Sequence, residues 1–130
     1  MGQGAQMTVQ NKAKKPIILF INGVNCMYDG GQQGSNLQAF NSVTVQGGQN
    51  VGPQYIEDVD SGGCAFETAT FTLVVNDTQS NNIGNVAFSE GSSQYTGTSS
   101  NANLIQVFCS NNSGSESTIT VTITGTGGST

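Results

Sequence analysis

Short hydrophobic runs with a period of two dominate the chain, and this is the pattern of β-strands that are buried on one face. The clearest run covers residues 118–124, where isoleucine and valine alternate with threonine. Residues 65–75 repeat the pattern, with Phe71 and Leu73 on the same predicted face. Further predicted strands are residues 7–9, 17–21, 43–45, 54–59, 83–88 and 104–109.

Clusters of Gly, Asn, Asp and Ser separate the predicted strands, and no window repeats hydrophobic residues at helical spacing. The runs at residues 17–21 and 104–108 are apolar on both faces, which favours two packed sheets. The pattern predicts an all-β fold, a single antiparallel β-sandwich of about seven to nine strands. Residues 1–130 form one predicted domain, with residues 1–6 and 125–130 expected to be flexible.

Charged residues make up 8% of the chain, against about 25% in an average domain. Three lysines and eight acidic residues give a net charge of −5. Nucleic-acid binding needs a basic surface, so these numbers argue against a nucleic-acid partner. Because the sequence has no histidine, catalytic triads built on histidine and histidine metal sites are excluded.

The acidic cluster of Glu57, Asp58 and Asp60 is the place where paired carboxylates or a metal ion could act. Glu57 and Asp58 are neighbours, so on a strand their side chains would point to opposite faces. The cluster also lacks the glycine and the final glutamate of a calcium-binding loop. We interpret it as a solvated acidic loop and keep a metal site at these three residues as an alternative. The sequence predicts no enzyme activity and no cofactor.

Three cysteines, Cys26, Cys64 and Cys109, stand at wide spacing beside hydrophobic residues. An odd and sparse set is untypical of a disulfide framework, so we expect three small buried thiols. Residues 1–10 lack the basic and apolar regions of a secretory signal peptide, and no run approaches the length of a membrane span. The expectation is a soluble protein that is made in the cytoplasm and released.

Tyrosines are the predicted binding residues. Tyr28 and Tyr95 lie in polar stretches rich in turn residues, and Tyr55 begins the acidic segment. A tyrosine ring in a loop can stack on a sugar or lie at the level of lipid headgroups. The alternative is a ring that covers a sheet edge and keeps its hydroxyl in water.

Several segments resemble the aegerolysin family of small β-sandwich proteins from fungi and bacteria. They are residues 9–12 before the first apolar strand, residues 27–30 with an aromatic-Asp-Gly element, residues 61–64 ahead of residues 67–73, and residues 83–88. The length, the acidity and the strand order are similar as well. Fungal members carry several tryptophans at their lipid-binding end, and this chain has none. The resemblance therefore implies the fold and the general role of the family, but not its lipid-binding residues.

The resemblance implies a membrane-binding component of a two-component pore-forming toxin, a class that includes insecticidal proteins. Such a protein would recognise a neutral lipid headgroup or a cell-surface receptor, and a larger partner protein would form the pore. Two other functions stay open. Polar loops with tyrosines favour a soluble carbohydrate-binding lectin, and a charge-poor surface rich in threonine favours a structural subunit of a fibre or coat.

Overall fold

The computed structural model describes residues 3–111 and 116–127. Within these ranges the chain forms two five-stranded sheets and three short 3₁₀ turns, with no α-helix. The strands are β1 (Gly4–Asn11), β2 (Ile17–Asn25), β3 (Met27–Tyr28), β4 (Val43–Val45), β5 (Asn50–Asp58), β6 (Ala69–Asp77), β7 (Asn82–Gly91), β8 (Gln94–Ser99), β9 (Ile105–Ser110) and β10 (Ser117–Ile123). The predicted all-β sandwich is confirmed, with ten strands among the described residues instead of seven to nine.

The first sheet has the strand order β3-β5-β1-β10-β9, and the second sheet has the order β4-β2-β6-β7-β8. Neighbouring strands are antiparallel except for β1 and β10, which run parallel with Met7 opposite Ile119. The core lies between the sheets, because alternate side chains of each strand face inward. In the second sheet the rings of Phe71 and Phe88 stack, with their centroids 4.7 Å apart.

The strand directions give the sandwich two distinct ends. The end of β5 lies beside the start of β1, and the end of β7 lies beside the start of β6. Asp58 and Glu90 line one cleft, so these two positions belong to one end of the molecule. At the opposite end the turn at residues 12–15 connects β1 to β2, and Asp77 closes β6. Each charged side chain can therefore be assigned to one of the two ends.

The bounds of β2, β5 and β6 differ from the sequence prediction. β2 continues through Asn22 and Gly23, predicted as a loop, because a bulge shifts its register against β6. Gly23 has a φ angle of +62° there, a conformation that glycine adopts without steric cost. β5 already begins at Asn50 and includes Pro53, whereas β6 begins only at Ala69 and not at residue 65.

The hydrophobic pattern does not indicate β8 or the position of β9. β8 is mostly polar, yet Tyr95 is buried and the strand pairs with β7. Gly97 permits this close packing, since a Cβ there would lie 2.8 Å from side-chain atoms of both Phe88 and Val107. The prediction of a buried strand is wrong for β9, which is an edge strand that leaves Phe108 65% exposed.

The two ends of the chain are partly described. Residues 4–6, expected from the sequence to be flexible, belong to β1 and pair with β5 and β10. At the other end Gly125 is buried, although residues 125–130 were also expected to be flexible. Residues 1–2 and 128–130 of these expected flexible ends lie outside the described residues.

Candidate binding site at the acidic end

Acidic side chains gather at one end of the sandwich, and lysines lie at the other. Seven of the eight acidic residues lie at or beside the ends of β3, β5, β7 and β10 or in the loop of residues 60–68: Asp29, Glu57, Asp58, Asp60, Glu67, Glu90 and Glu116. The eighth, Asp77, lies at the opposite end with Lys12, Lys14 and Lys15. We call these two regions the acidic end and the lysine end.

The structure brings the residues predicted from the sequence to the acidic end: Tyr28, Tyr55, Tyr95, Glu57, Asp58 and Asp60. Tyr28, on β3, is half-buried and stands opposite Glu57 on β5. The hydroxyl of Ser35 donates to the carbonyl of Tyr28 and accepts a 2.9 Å hydrogen bond from the N–H of Glu57. These bonds hold the loop after β3 against β5.

Tyr55 lies on the outer face of the first sheet. Its hydroxyl donates a 2.6 Å hydrogen bond to Glu57 Oε1. Its ring lies over Gly4, where a Cβ atom would collide with it. Burial, followed by the hydrogen bond to Glu57, raises the pKa of the Tyr55 hydroxyl. The Tyr55 ring therefore packs against the outer face of the sheet.

The prediction that Tyr95 lies in an exposed loop is wrong. The residue is on β8, and its side chain is 1% exposed. Its hydroxyl donates a 2.7 Å hydrogen bond to the carbonyl of Gln3, and its backbone N–H donates a 2.8 Å bond to Asn111 Oδ1. Burial, and to a lesser extent the charges of Asp58 and Glu90, raise the pKa of Tyr95. The polar neighbours of Tyr95 on β8 conceal its inward position in the sequence.

Asp58 on β5 and Glu90 on β7 form a carboxyl pair between the two sheets. The two side chains are 7% and 5% exposed, respectively. Both carboxyl groups line one cleft, and the N–H of Gln3 donates to Asp58 Oδ1. Burial, followed by the neighbouring carboxyl group of Asp58, raises the pKa of Glu90 to about 8. At neutral pH the Glu90 carboxyl is therefore mostly protonated.

Glu57, Asp58 and Asp60 do not converge as metal ligands. Glu57 binds Tyr55 on the outer face, while Asp58 faces Gln3 and Glu90 at the inter-sheet side. Across residues 3–111 and 116–127, no group of three or more Asp, Glu or Cys side chains is arranged to hold a metal ion. The alternative of a metal site at these three residues thus has no support in the geometry.

A polar cleft with a volume of about 260 Å³ opens beside the carboxyl pair. Its lining includes Asp58, Asp60, Glu67, Glu90, Ser92 and Ser93. Phe66 lies between the lining residues Ala65 and Glu67, and its side chain is fully exposed at 103%. The sequence pattern assigns residues 65–75 to a strand that is buried on one face, and it does not indicate Phe66 as a site residue.

A disulfide bond holds the loop that carries Phe66. Cys64, which also lines the cleft, is bonded to Cys26 between β2 and β3, with a Cα–Cα distance of 5.7 Å. The prediction of three free thiols is therefore wrong, and Cys109 is the free cysteine. The sequence separation of 38 gives no sign of the bond, because the two residues meet only through the fold. Disulfides are typical of proteins that reach an oxidising environment.

No protein-family model matches the chain, and a search of curated proteins finds no similar sequence. The resemblance to the aegerolysin family therefore stays a prediction. Among the residues that the structure describes, no helix has the length and the apolar character needed to cross a lipid bilayer.

Proposed function

We propose that this protein is a non-enzymatic membrane-attachment protein whose acidic end binds zwitterionic lipid headgroups. The observation that carries the proposal is the fully exposed ring of Phe66 beside the polar cleft. Exposure of an apolar ring to water is unfavourable, and here a disulfide fixes the loop that presents it. A ring held in this way suits the interfacial layer of a membrane, where aromatic side chains are enriched.

The carboxylates around Phe66 favour a headgroup that carries a positive charge. Asp60 and Glu67 line the cleft, and Glu67 directly follows Phe66 in the chain. An ammonium group can bind between carboxylates and an aromatic face. The phosphate of the same headgroup would be repelled by the carboxylates and would point away from the cleft. The acidic end should therefore prefer zwitterionic lipids to anionic lipids.

The more specific proposal is that the protein is the membrane-binding component of a two-component pore-forming toxin. Its support is the resemblance to aegerolysins at residues 9–12, 27–30, 61–64, 67–73 and 83–88. In this proposal the chain is released and attaches to target cells. A larger partner protein then forms the pore.

Co-sedimentation with phosphatidylcholine vesicles tests the attachment. We expect Phe66→Ala to weaken binding roughly tenfold, since burial of an aromatic ring contributes about 1.5 kcal/mol or more. Phe108→Ala is the matched control, because it removes the other exposed ring from an outer sheet face, and binding should not change. Addition of anionic lipid at low salt should weaken binding of the unmodified protein.

Two results would contradict these proposals separately. Equal binding by Phe66→Ala and the unmodified protein would exclude attachment through the acidic end. Efficient leakage of vesicle contents caused by this chain alone would exclude the two-component proposal and would leave the attachment site intact.

A lectin is the second candidate, and the outer face of the first sheet favours it. This face presents uncharged side chains along β1, β10 and β9: Gln6, Thr8, Gln10, Thr118, Thr120, Thr122 and Phe108. Amides and hydroxyls that bond sugar hydroxyls, next to one exposed ring, are suited to a glycan. On a glycan array, this candidate predicts loss of binding with Phe108→Ala and no change with Phe66→Ala.

A further inference from the structure

Residues 61–68, which lie between β5 and β6, divide the chain into two halves. Strands β1 to β5 precede this segment and strands β6 to β10 follow it. Each sheet contains strands of both halves, because β1 pairs with β10 in the first sheet and β2 pairs with β6 in the second. A break in this segment would therefore leave both sheets intact, held by ladders that join one half to the other.

The backbone of residues 61–68 is accessible, and its hydrogen bonds are local. Every residue of this segment is exposed except Cys64, which is half-buried. The N–H groups of Cys64, Ala65 and Glu67 donate to carbonyls three residues earlier, over 3.1, 3.3 and 3.2 Å. These turns face water, so exchange of their hydrogen bonds for bonds to water costs little free energy. The segment can therefore open locally while the sheets stay paired.

Phe66 is the aromatic residue that a local opening of this segment offers to another protein. The chain has six phenylalanines and three tyrosines, all within the described residues. Of the eight besides Phe66, seven lie on strands, and the remaining one, Phe40, is fully buried. Even the exposed ring of Phe108 is on β9, whose backbone pairs with β10. Among these nine residues, Phe66 alone combines an exposed ring with a backbone outside the sheets.

The turn at residues 12–15 lacks this accessibility, although its three lysines are exposed. The side chain of the buried Asn11 donates a 2.9 Å hydrogen bond to the carbonyl of Lys15 and accepts a 3.0 Å bond from the N–H of Ala13. The N–H of Lys12 donates a 2.8 Å bond to the carbonyl of Ile123. A protease that recognises lysine therefore meets a fixed backbone, whereas one that recognises an aromatic ring meets the segment of Phe66.

We infer that the peptide bond between Phe66 and Glu67 is a processing site for an endopeptidase whose specificity pocket accepts an aromatic side chain. Hydrolysis adds one water across this bond, so Phe66 gains a carboxylate and Glu67 gains an ammonium group. The product is two chains, residues 1–66 and 67–130, that remain one sandwich. Cys26 and Cys64 both precede the cut, so their disulfide holds the new chain end at Phe66 beside β2 and β3. This inference goes beyond lipid binding and does not depend on it.

The conformation of the segment favours cleavage over inhibition of the protease. A tight protein inhibitor is preorganised, with a loop that already has the extended shape in which a protease binds peptides. Ala65, directly before Phe66, instead has helical φ and ψ angles of −58° and −31°. The segment must therefore open before it enters a protease, and in the open form it is an ordinary substrate.

Limited digestion of the unreduced protein with chymotrypsin tests the processing site. We expect one early cut, with residues 1–66 and 67–130 identified by mass spectrometry and eluting together in native size-exclusion chromatography. Phe66→Ala should slow this cut by about a hundredfold, since a hydrophobic specificity pocket discriminates strongly even against the loss of single methylene groups. Phe108→Ala is the matched control and should be cut at the unmodified rate. Trypsin at the same concentration should leave the protein intact.

Four results would overturn the inference. A first cut after another aromatic residue would show that a different segment opens more readily. Cuts at many sites at once would show that only the unfolded chain is digested. Fragments that separate in native chromatography would contradict the two-chain sandwich. Inhibition of chymotrypsin by an equimolar amount of uncut protein would make the segment an inhibitor loop instead of a processing site.

Discussion

At the scale of single residues, the two largest departures from the sequence pattern concern aromatic rings. Tyr95 has polar neighbours on both sides and yet is buried with its hydroxyl on Gln3. Phe66 follows two apolar or sulfur-containing residues and yet stands fully in water. The polarity of the neighbouring residues gives the wrong position for both rings. The register of β8 against β7 determines where Tyr95 lies, and the disulfide-linked loop determines where Phe66 lies.

Replacement of Tyr95 by phenylalanine tests the buried hydrogen bond. Tyr95→Phe removes the donor to the carbonyl of Gln3, and we expect the free energy of unfolding to fall by about 1 kcal/mol. Tyr28→Phe removes a hydroxyl from a half-buried ring, and its effect should stay within about 0.5 kcal/mol. Urea denaturation at neutral pH measures both values. Equal stability of Tyr95→Phe and the unmodified protein would contradict the burial of this hydroxyl.

At the scale of elements, the disulfide fixes the loop of residues 60–68 to the end of β2. It closes a loop of 38 residues, and that closure restricts the unfolded chain. The loop lines the cleft with Asp60, Cys64 and Glu67 and presents Phe66. Without the bond, the position of the proposed attachment site would depend on the loop's few remaining contacts.

We expect reduction of the disulfide to lower the free energy of unfolding by about 3–4 kcal/mol, from the entropy of closing a loop of this length. Urea denaturation with and without reductant measures the difference. A thiol assay on the unfolded protein should find one thiol before reduction and three after it, and Cys109→Ser should leave none before reduction. Three reactive thiols without reductant would show that the bond does not form.

Much of the fold is predictable from the sequence, because period-two runs such as residues 118–124 fix both the strand and its inward face. The polar strand β8 and the exposure of β9 are not predictable, since they depend on which strands become neighbours. The acidic side of the site is partly predictable from Glu57, Asp58 and Asp60. Glu90 joins them only because β7 ends opposite β5, and no local pattern marks that.

At the scale of the whole molecule, charge is confined to the two ends. The outer face of the first sheet presents rows of Gln and Thr side chains, so the acidic end and the lysine end differ from each other and from this uncharged face. A membrane can therefore meet three distinct kinds of surface. We propose that the protein attaches to membranes through one of these three surfaces, the acidic end.

Hydrogen exchange with and without phosphatidylcholine vesicles tests this central claim most directly. Attachment through the acidic end predicts slower exchange on vesicles for residues 60–68 and 90–95. Exchange in the lysine turn at residues 12–15 and in edge strand β9 should not change. Slower exchange in β9 or in the lysine turn, with none at residues 60–68, would contradict the proposed attachment site.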